Sequence, residues 1–252
     1  MLLSEFDKDT IAILEPKFCV DKVDEFPETC VSTFSQRLID KFSKMDGVVR
    51  IGNLMSTNGA VPVYKIVYSG TPIGFFLSRV GAPACVMGFE NAIAMGLKKL
   101  VLFGSCGVLN REIEDGHIVI PTSAVRDEGT SYHYLPPSDE VFLETQAVNA
   151  VEKTLKSLKY PYTKGKTWTT DAVYRETKSK AELRKKQGCI VVEMECSAMT
   201  AAAKFRNVKF AQFLYSADNL DCPEWERRGL GNIELSEKEK YMALAFECAV
   251  NL

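Results

Sequence analysis

The 252-residue sequence lacks a long hydrophobic run and has almost no net charge. Its 31 Lys and Arg residues nearly balance 33 Asp and Glu residues, so its charge does not favour nucleic acid or an anionic membrane as a partner. No apolar stretch approaches the roughly 20 residues that span a bilayer. The first ten residues, MLLSEFDKDT, contain early acidic residues and no apolar core typical of a secretory signal. We therefore expect a cytoplasmic protein.

Two motifs that would indicate a cofactor or a metal are also missing. The eight cysteines form no C-x-x-C pair, which argues against a zinc ribbon or a thioredoxin-like site. Most cysteines have apolar neighbours, as Cys85 and Cys196 do, so we expect buried, reduced thiols and no metal site. No G-x-G-x-x-G follows the first predicted strand, which makes a Rossmann dehydrogenase a poor interpretation.

Short apolar runs alternate with amphipathic segments along the chain. Predicted strands cover 11–14, 63–68, 73–78, 98–104, 117–125, 162–169, 189–195 and 208–218, and predicted helices cover 81–97, 142–158, 178–187, 196–205 and 235–250. Strands separated by helices favour a largely parallel sheet covered on both faces. An early hairpin, with its turn at Gly70, Thr71 and Pro72, makes the sheet mixed. Without repeats or a flexible linker, residues 1–252 are predicted to form one domain.

Polar residues follow three of the predicted strands, where ligands bind in open α/β folds. The first group is Gly104-Ser105-Cys106-Gly107, where glycines let backbone N–H groups approach an anion closely, although a simple tight turn has the same pattern. The second is Val191 to Met199, in which Glu193 and Glu195 share one side of the strand and Met194 takes the other. A carboxylate there could accept both vicinal hydroxyls of a ribose; a surface strand end is the alternative.

The third strand delivers Ser216 and Asp218 to its end. An aspartic acid is suited to protonate or hydrogen-bond a leaving base, and the alternative is a cap of the following turn. Upstream, Trp168 and Thr169 lie in a polar segment, where the indole offers a flat wall for a planar ring. Core packing is the more common fate of a tryptophan.

Taken in order, G-S-C-G, V-E-M-E and S-x-D resemble the hexameric purine nucleoside phosphorylases and uridine phosphorylases over about residues 10 to 250. The resemblance implies an α/β, single-domain, three-layer fold with a central mixed, barrel-like β-sheet flanked by helices. It also implies active sites near the dimer interfaces of a homo-oligomer, a dimer or a hexamer. The partners implied are a nucleoside and phosphate, with no cofactor beyond inorganic phosphate as co-substrate.

The resemblance also assigns roles to individual residues. Asp218 is the catalytic acid that faces the base, and Glu195 accepts the 2′- and 3′-hydroxyls of the sugar. The remaining assignments are Glu193, Met194 and His133 for the ribose, Trp168, Thr169, Ser105, Cys106 and Gly107 for the base, and Gly104, Ser105 and Arg79 for phosphate. His133 could instead stack on its aromatic neighbours, and Arg79 could be an ordinary surface arginine.

The sequence departs from the family at the phosphate site. Leu102 and Phe103 stand where the family carries an arginine, and Leu14-Glu15-Pro16 replaces its early Gly-Asp-Pro. Phosphorolysis of a purine or uridine-like nucleoside is the function predicted. Hydrolysis of the same bond by a nucleosidase, or nucleoside binding without catalysis, are the alternatives. The segment 222–232, which contains Trp225, is a candidate lid over the site.

Overall fold

The computed structural model describes residue 3 and residues 5–21 and 23–252. Its strands are β1 (Thr29–Thr33), β2 (Val49–Leu54), β3 (Val61–Tyr68), β4 (Thr71–Leu77), β5 (Lys99–Val108), β6 (Ile118–Asp127), β7 (Glu140–Phe142), β8 (Tyr162–Thr170), β9 (Cys189–Glu193) and β10 (Lys209–Asn219). Its α-helices are α1 (Gln36–Phe42), α2 (Ala82–Met95), α3 (Thr145–Ser157), α4 (Lys178–Lys186), α5 (Cys196–Arg206) and α6 (Leu235–Asn251). Short 3₁₀ helices cover Pro16–Phe18, Thr130–His133 and Val173–Arg175.

Five strands close into a barrel. β5 pairs with β9 and β10, β10 with β6, β6 with β8, and β8 with β9, which completes the circuit. From β5 the sheet continues outward through β1, β4, β3 and β2. Parallel and antiparallel pairs both occur, since β5 runs parallel to β10 and antiparallel to β9. The predicted α/β fold with a mixed, barrel-like sheet flanked by helices is confirmed.

The helices cover the sheet because their apolar residues need burial. α2 packs against α5, and α6 packs against α1, α3 and the strands β1, β4 and β5. α2 begins after Gly81, at φ 94°, has Pro83 in its first turn, and ends at Gly96, at φ 130°. Positive φ is inexpensive for glycine, and a first-turn proline has no hydrogen bond to lose.

The predicted hairpin is confirmed as β3 and β4, with a different turn. Ser69 and Gly70 both have positive φ, at 49° and 79°, and form the two-residue connection. Such a turn matches the twist of the flanking strands. Thr71 and Pro72 already belong to β4.

The predicted strand at residues 11–14 is wrong. Ile11 and Ile13 are 77% and 104% exposed, and the described residues before Thr29 contain no strand. A strand is stabilised by its neighbours, and the place beside β5 and β4 is taken by β1. β1 has the less apolar sequence TCVST, all five residues of which are buried.

Eight cysteines are free, and six of them are buried, in agreement with the prediction; Cys19 is exposed and Cys222 is partly exposed. Among the residues that the structure describes, no helix combines the length and apolarity needed to cross a membrane.

Candidate active site

Gly107 joins the two strand ends that carry the candidate acids. On one side it pairs with Val192 of β9, next to Glu193, and on the other with Asp218 of β10. A β-carbon built on Gly107 would lie 3.2 Å from Asp218 Oδ1 and 3.1 Å from the Val192 side chain. The fold therefore brings the G-S-C-G, V-E-M-E and S-x-D segments together at one edge of the barrel.

The G-S-C-G segment is part of strand β5 and does not form the tight turn that its glycine pattern also allowed. The glycines serve close packing instead: a β-carbon on Gly104 would lie 2.7 Å from the Phe34 ring, and one on Gly107 would lie 2.5 Å from Leu220 Cδ1. Strand alternation leaves Ser105 exposed and turns Cys106 inward. Burial raises the pKa of the Cys106 thiol, and the charges of Asp218 and Glu193 add to the effect.

Glu193 is buried with both carboxylate oxygens occupied. Oε1 accepts hydrogen bonds from Thr169 Oγ1 at 2.6 Å and Thr167 Oγ1 at 3.3 Å, and Oε2 accepts from the backbone N–H groups of Glu195 at 2.7 Å and Cys196 at 2.6 Å. Burial raises the pKa of this carboxyl, and the hydrogen bonds oppose that shift. Glu193 thus holds the start of α5 against β8.

Glu195 lies at the N-cap of α5, two residues beyond the end of β9. Its Oε1 accepts a hydrogen bond from the Gly81 N–H at 2.7 Å, which ties the V-E-M-E segment to the start of α2. Burial, followed by the charge of Glu193, raises the pKa of Glu195. Met194, between the two acids, is partly exposed.

Asp218 follows a β-bulge in β10. Ser216 pairs with Cys106 and Asp218 with Gly107, so Ala217 is an extra residue in this strand. Asp218 Oδ2 accepts a hydrogen bond from Trp225 Nε1 at 2.8 Å. Burial raises the pKa of Asp218, while the Trp225 bond and the charge of Arg228 oppose the rise. The Ser216 hydroxyl instead donates to the Glu114 carbonyl, which gives it a structural contact.

Asp218 opens onto a cavity of about 550 Å³. Its walls include Val173, Tyr174, Glu176 and Trp225. The predicted lid segment therefore does contribute a wall. Burial and the nearby charge of Asp218 raise the pKa of Glu176 to about 7. Sequence reasoning missed Glu176 because a carboxylate just before a helix has the pattern of an ordinary helix start.

Trp168 lies in the core and not on the wall of this cavity. Its side chain is fully buried among apolar residues that include Leu109, Val125 and Val192, and Nε1 donates to Asp127 Oδ2 at 2.9 Å. The aromatic rings that reach the cavity are those of Tyr174 and Trp225. Thr169 is also buried and hydrogen-bonds Glu193. The expected stacking of a base on Trp168 is therefore corrected: its indole packs inside the barrel.

Arg79 and His133 are not grouped with Asp218. Arg79 Nη2 donates to the carbonyl oxygens of Asn58 at 3.2 Å and Gly59 at 2.8 Å. His133 lines a second groove, of about 710 Å³, together with Met87 and Arg206. The structure thus gives Arg79 a role in holding the 56–59 loop and places His133 on a separate groove.

The last two features of the site bear on the binding of phosphate and of metal ions. Leu102 and Phe103, which replace the family's arginine, are both fully buried. Over the described ranges, no three His, Cys, Asp or Glu side chains are grouped to hold a metal.

Comparison with known proteins agrees with this geometry. A model of the phosphorylase superfamily matches residues 30–243. A guanosine phosphorylase from Halorubrum lacusprofundi is 26% identical over 184 residues, which cover 70% of this chain and 74% of the relative.

Two solved structures share the fold. A purine nucleoside phosphorylase from Toxoplasma gondii, in complex with immucillin-H, superposes with a TM-score of 0.76 at 19% identity and covers 90% of this chain and 92% of its own. A uridine phosphorylase from Vibrio fischeri gives a TM-score of 0.74 at 20% identity, with 96% and 99% covered. The family match extends over most of the chain and includes all three motif segments. The chain therefore belongs to the phosphorylase superfamily, the family of the nucleoside phosphorylases that its sequence motifs predicted.

Proposed function

We propose that the protein cleaves the N-glycosidic bond of a nucleoside with phosphate, releasing a free base and a pentose 1-phosphate. One observation carries the proposal: Gly107 pairs with the strand that leads to Glu195 and with the strand that presents Asp218. A sugar-binding carboxylate and an acid for the base are thereby held at neighbouring strand ends. The relatives include enzymes named for guanosine and for uridine, so the proposal covers both purine and pyrimidine nucleosides.

The chemistry follows from these two acids. The bond to the base stretches toward an oxocarbenium-like sugar, as in other glycoside cleavages. Glu195 accepts hydrogen bonds from the 2′- and 3′-hydroxyls, while Asp218 shares a proton with the departing base. Its raised pKa keeps that proton available closer to neutral pH than an exposed aspartic acid would. General acid catalysis of this kind contributes roughly 10²–10⁴-fold.

Phosphate would approach along the Gly104–Ser105 edge of β5. The exposed Ser105 hydroxyl and the backbone there supply donors. Arg79 is the cation that the family resemblance assigns to phosphate. We propose inorganic phosphate as the co-substrate with no further cofactor, and a homo-oligomer in the cytoplasm as the working form. The assignment of His133 to the nucleoside stays a prediction.

Hydrolysis is a second candidate, and one observation favours it. Leu102 and Phe103 are fully buried where the family has a phosphate-binding arginine, so one bidentate contact to phosphate is lost. In the hydrolytic reaction, water replaces phosphate as the nucleophile, while Glu195 and Asp218 keep their roles.

Release of free base from uridine, thymidine, inosine, adenosine and guanosine, each with and without phosphate, tests the proposal. Phosphate-dependent release with formation of ribose 1-phosphate supports phosphorolysis. Equal release in phosphate-free buffer establishes the nucleosidase. Absence of release from all five nucleosides, in protein shown to be folded, contradicts both and leaves nucleoside binding.

A further inference from the structure

Glu176 presents its carboxylate to the cavity that Asp218 also lines. It lies between the Val173–Arg175 3₁₀ helix and α4, and it is only partly exposed. Within the described residues, no side chain or backbone group donates a hydrogen bond to this carboxylate, and no Lys or Arg forms an ion pair with it. The charge of another carboxylate, Asp218, adds to the effect of burial in raising the pKa of Glu176.

Such an arrangement is unfavourable without a ligand. Burying a carboxylate without hydrogen-bond donors costs free energy, and a second carboxylate beside it adds repulsion. The cavity walls offer apolar and aromatic surface, from Val173, Tyr174, Leu220 and Trp225. A planar ligand whose edge carries N–H donors would satisfy the carboxylate while its faces contact these walls.

The nucleobases differ in the donors that they present along one edge. Guanine carries the N1–H and the 2-amino group side by side, which fits the two oxygens of one carboxylate. Hypoxanthine retains only the N1–H. Adenine pairs its 6-amino group with an acceptor, N1, and uracil places its N3–H between two carbonyl oxygens, so an ionised carboxylate meets an acceptor in both cases.

We infer that Glu176 accepts hydrogen bonds from the N1–H and 2-amino group of guanine, which makes guanine nucleosides the preferred substrates of the cavity. The inference rests on the proposed function, because it assigns a base to the same site. Asp218 then shares a proton with the departing base, and Glu176 determines which base is preferred. The two acids have separate tasks on one ring.

The test compares kcat/KM for guanosine and inosine at pH 8.5, where Glu176 is ionised because its pKa is about 7. The wild-type protein should prefer guanosine by about tenfold or more, the discrimination of one good bidentate contact. In Glu176→Gln the amide places a donor opposite the 2-amino group, so the guanosine-to-inosine ratio should fall to about one or below. Glu224→Gln is the matched control, since Glu224 is an exposed carboxylate of the 222–232 segment that does not line the cavity.

A second measurement requires no substitution. As the pH falls through about 7, protonation of Glu176 should lower the guanosine-to-inosine ratio of the wild-type protein. Asp218 and Lys178 also face the cavity, and Arg228 acts on Asp218. A change in the charge of Asp218 should affect both purine nucleosides alike and leave the ratio unchanged.

The outcomes separate this inference from the proposed function. An unchanged ratio in Glu176→Gln, or a pH-independent ratio in the wild type, overturns the role of Glu176 even when both nucleosides are cleaved. If no nucleoside is cleaved, the proposed function fails, and calorimetric binding of free guanine and hypoxanthine decides. Tighter binding of guanine in the wild type that is lost in Glu176→Gln supports the inference, whereas equal binding overturns it.

Discussion

The candidate site contains two pairs of acidic side chains, and the pairs differ in how many hydrogen bonds they receive. At the β9–α5 junction, Glu193 accepts four hydrogen bonds and Glu195 accepts one from Gly81. In the cavity, Asp218 accepts one hydrogen bond, from the indole of the exposed Trp225, and no described residue donates to Glu176.

This difference distinguishes a carboxylate with a structural role, Glu193, from carboxylates that can act on a ligand. Glu193 has donors on both oxygens, so its charge is used to hold α5 against β8. Asp218 and Glu176, the two acids of the cavity, have carboxylate oxygens that remain free to accept hydrogen bonds from a ligand. Their partial burial raises the pKa values of both carboxyls. A substitution at Glu193 should therefore act mainly on stability, and substitutions at Asp218 and Glu176 should act mainly on catalysis and on the choice of base.

The largest effect is expected at Asp218. Asp218→Ala removes the proposed acid and should lower kcat by roughly 10²–10⁴-fold. Because Trp225 is the one donor to this carboxylate among the described residues, the free energy of unfolding should change little. Steady-state kinetics and urea unfolding on the same preparation measure both quantities. Near-normal turnover would remove Asp218 from the catalytic role.

Glu193→Ala should have the largest effect on stability. It leaves two backbone N–H groups and two threonine hydroxyls without their acceptor in a buried site. We expect the free energy of unfolding to fall by about 3 kcal/mol or more. Glu144→Ala is the control, because Glu144 precedes α3 without a side-chain capping bond and is exposed. Equal losses in the two variants would contradict the structural role of Glu193.

Gly107 lies between the strand ends that carry Glu193 and Asp218, so Gly107→Ala should affect both stability and catalysis moderately. Its new methyl group would lie 2.5 Å from Leu220 Cδ1 and 3.2 Å from Asp218 Oδ1, so both side chains must shift. Overpacking of this kind costs about 1–3 kcal/mol, and displacement of Asp218 should lower kcat as well. Gly129→Ala serves for comparison, since its β-carbon meets nothing within 4 Å and its φ is −92°. A stable variant with unchanged kcat would show that the contact with Asp218 does not matter.

The smallest effect is expected for Trp225→Phe, which keeps an aromatic ring but loses the N–H bond to Asp218. That bond favours the ionised carboxylate, so its loss should raise the pKa of Asp218 further. An acid is active below its pKa, and the fall of kcat/KM on the alkaline side should therefore move to higher pH. A shift to lower pH, measured from the pH profile, would mean that Asp218 acts in its ionised form.

Sequence reasoning succeeded where one strong local pattern decides the structure. The apolar run that forms β5, the proline and glycine around α2, and the periodicity of α6 all predicted elements that the structure contains. Residues 11–14 failed because an apolar run becomes a strand only beside a partner, and β1 occupies that position.

The candidate site was predicted in part, for a related reason. Motif order was enough to group Ser105, Glu195 and Asp218 at one edge. The placement of Trp168 in the core depends on side chains from distant elements, including Asp127 and Val192, which no local pattern reveals. Glu176 escaped notice because its exposure to the cavity depends on Trp225 and Leu220, about 45 residues further along the chain.

The bulge at Ala217 has a consequence for aligning this chain with others. Because the strand absorbs one additional residue there, Asp218 occupies the place that a chain one residue shorter would fill with the residue directly after its serine. An alignment without a gap at this point would match the acid of such a chain to Ala217 and report the acid here as missing. Searches for active members by motif should therefore allow both S-D and S-x-D spacings.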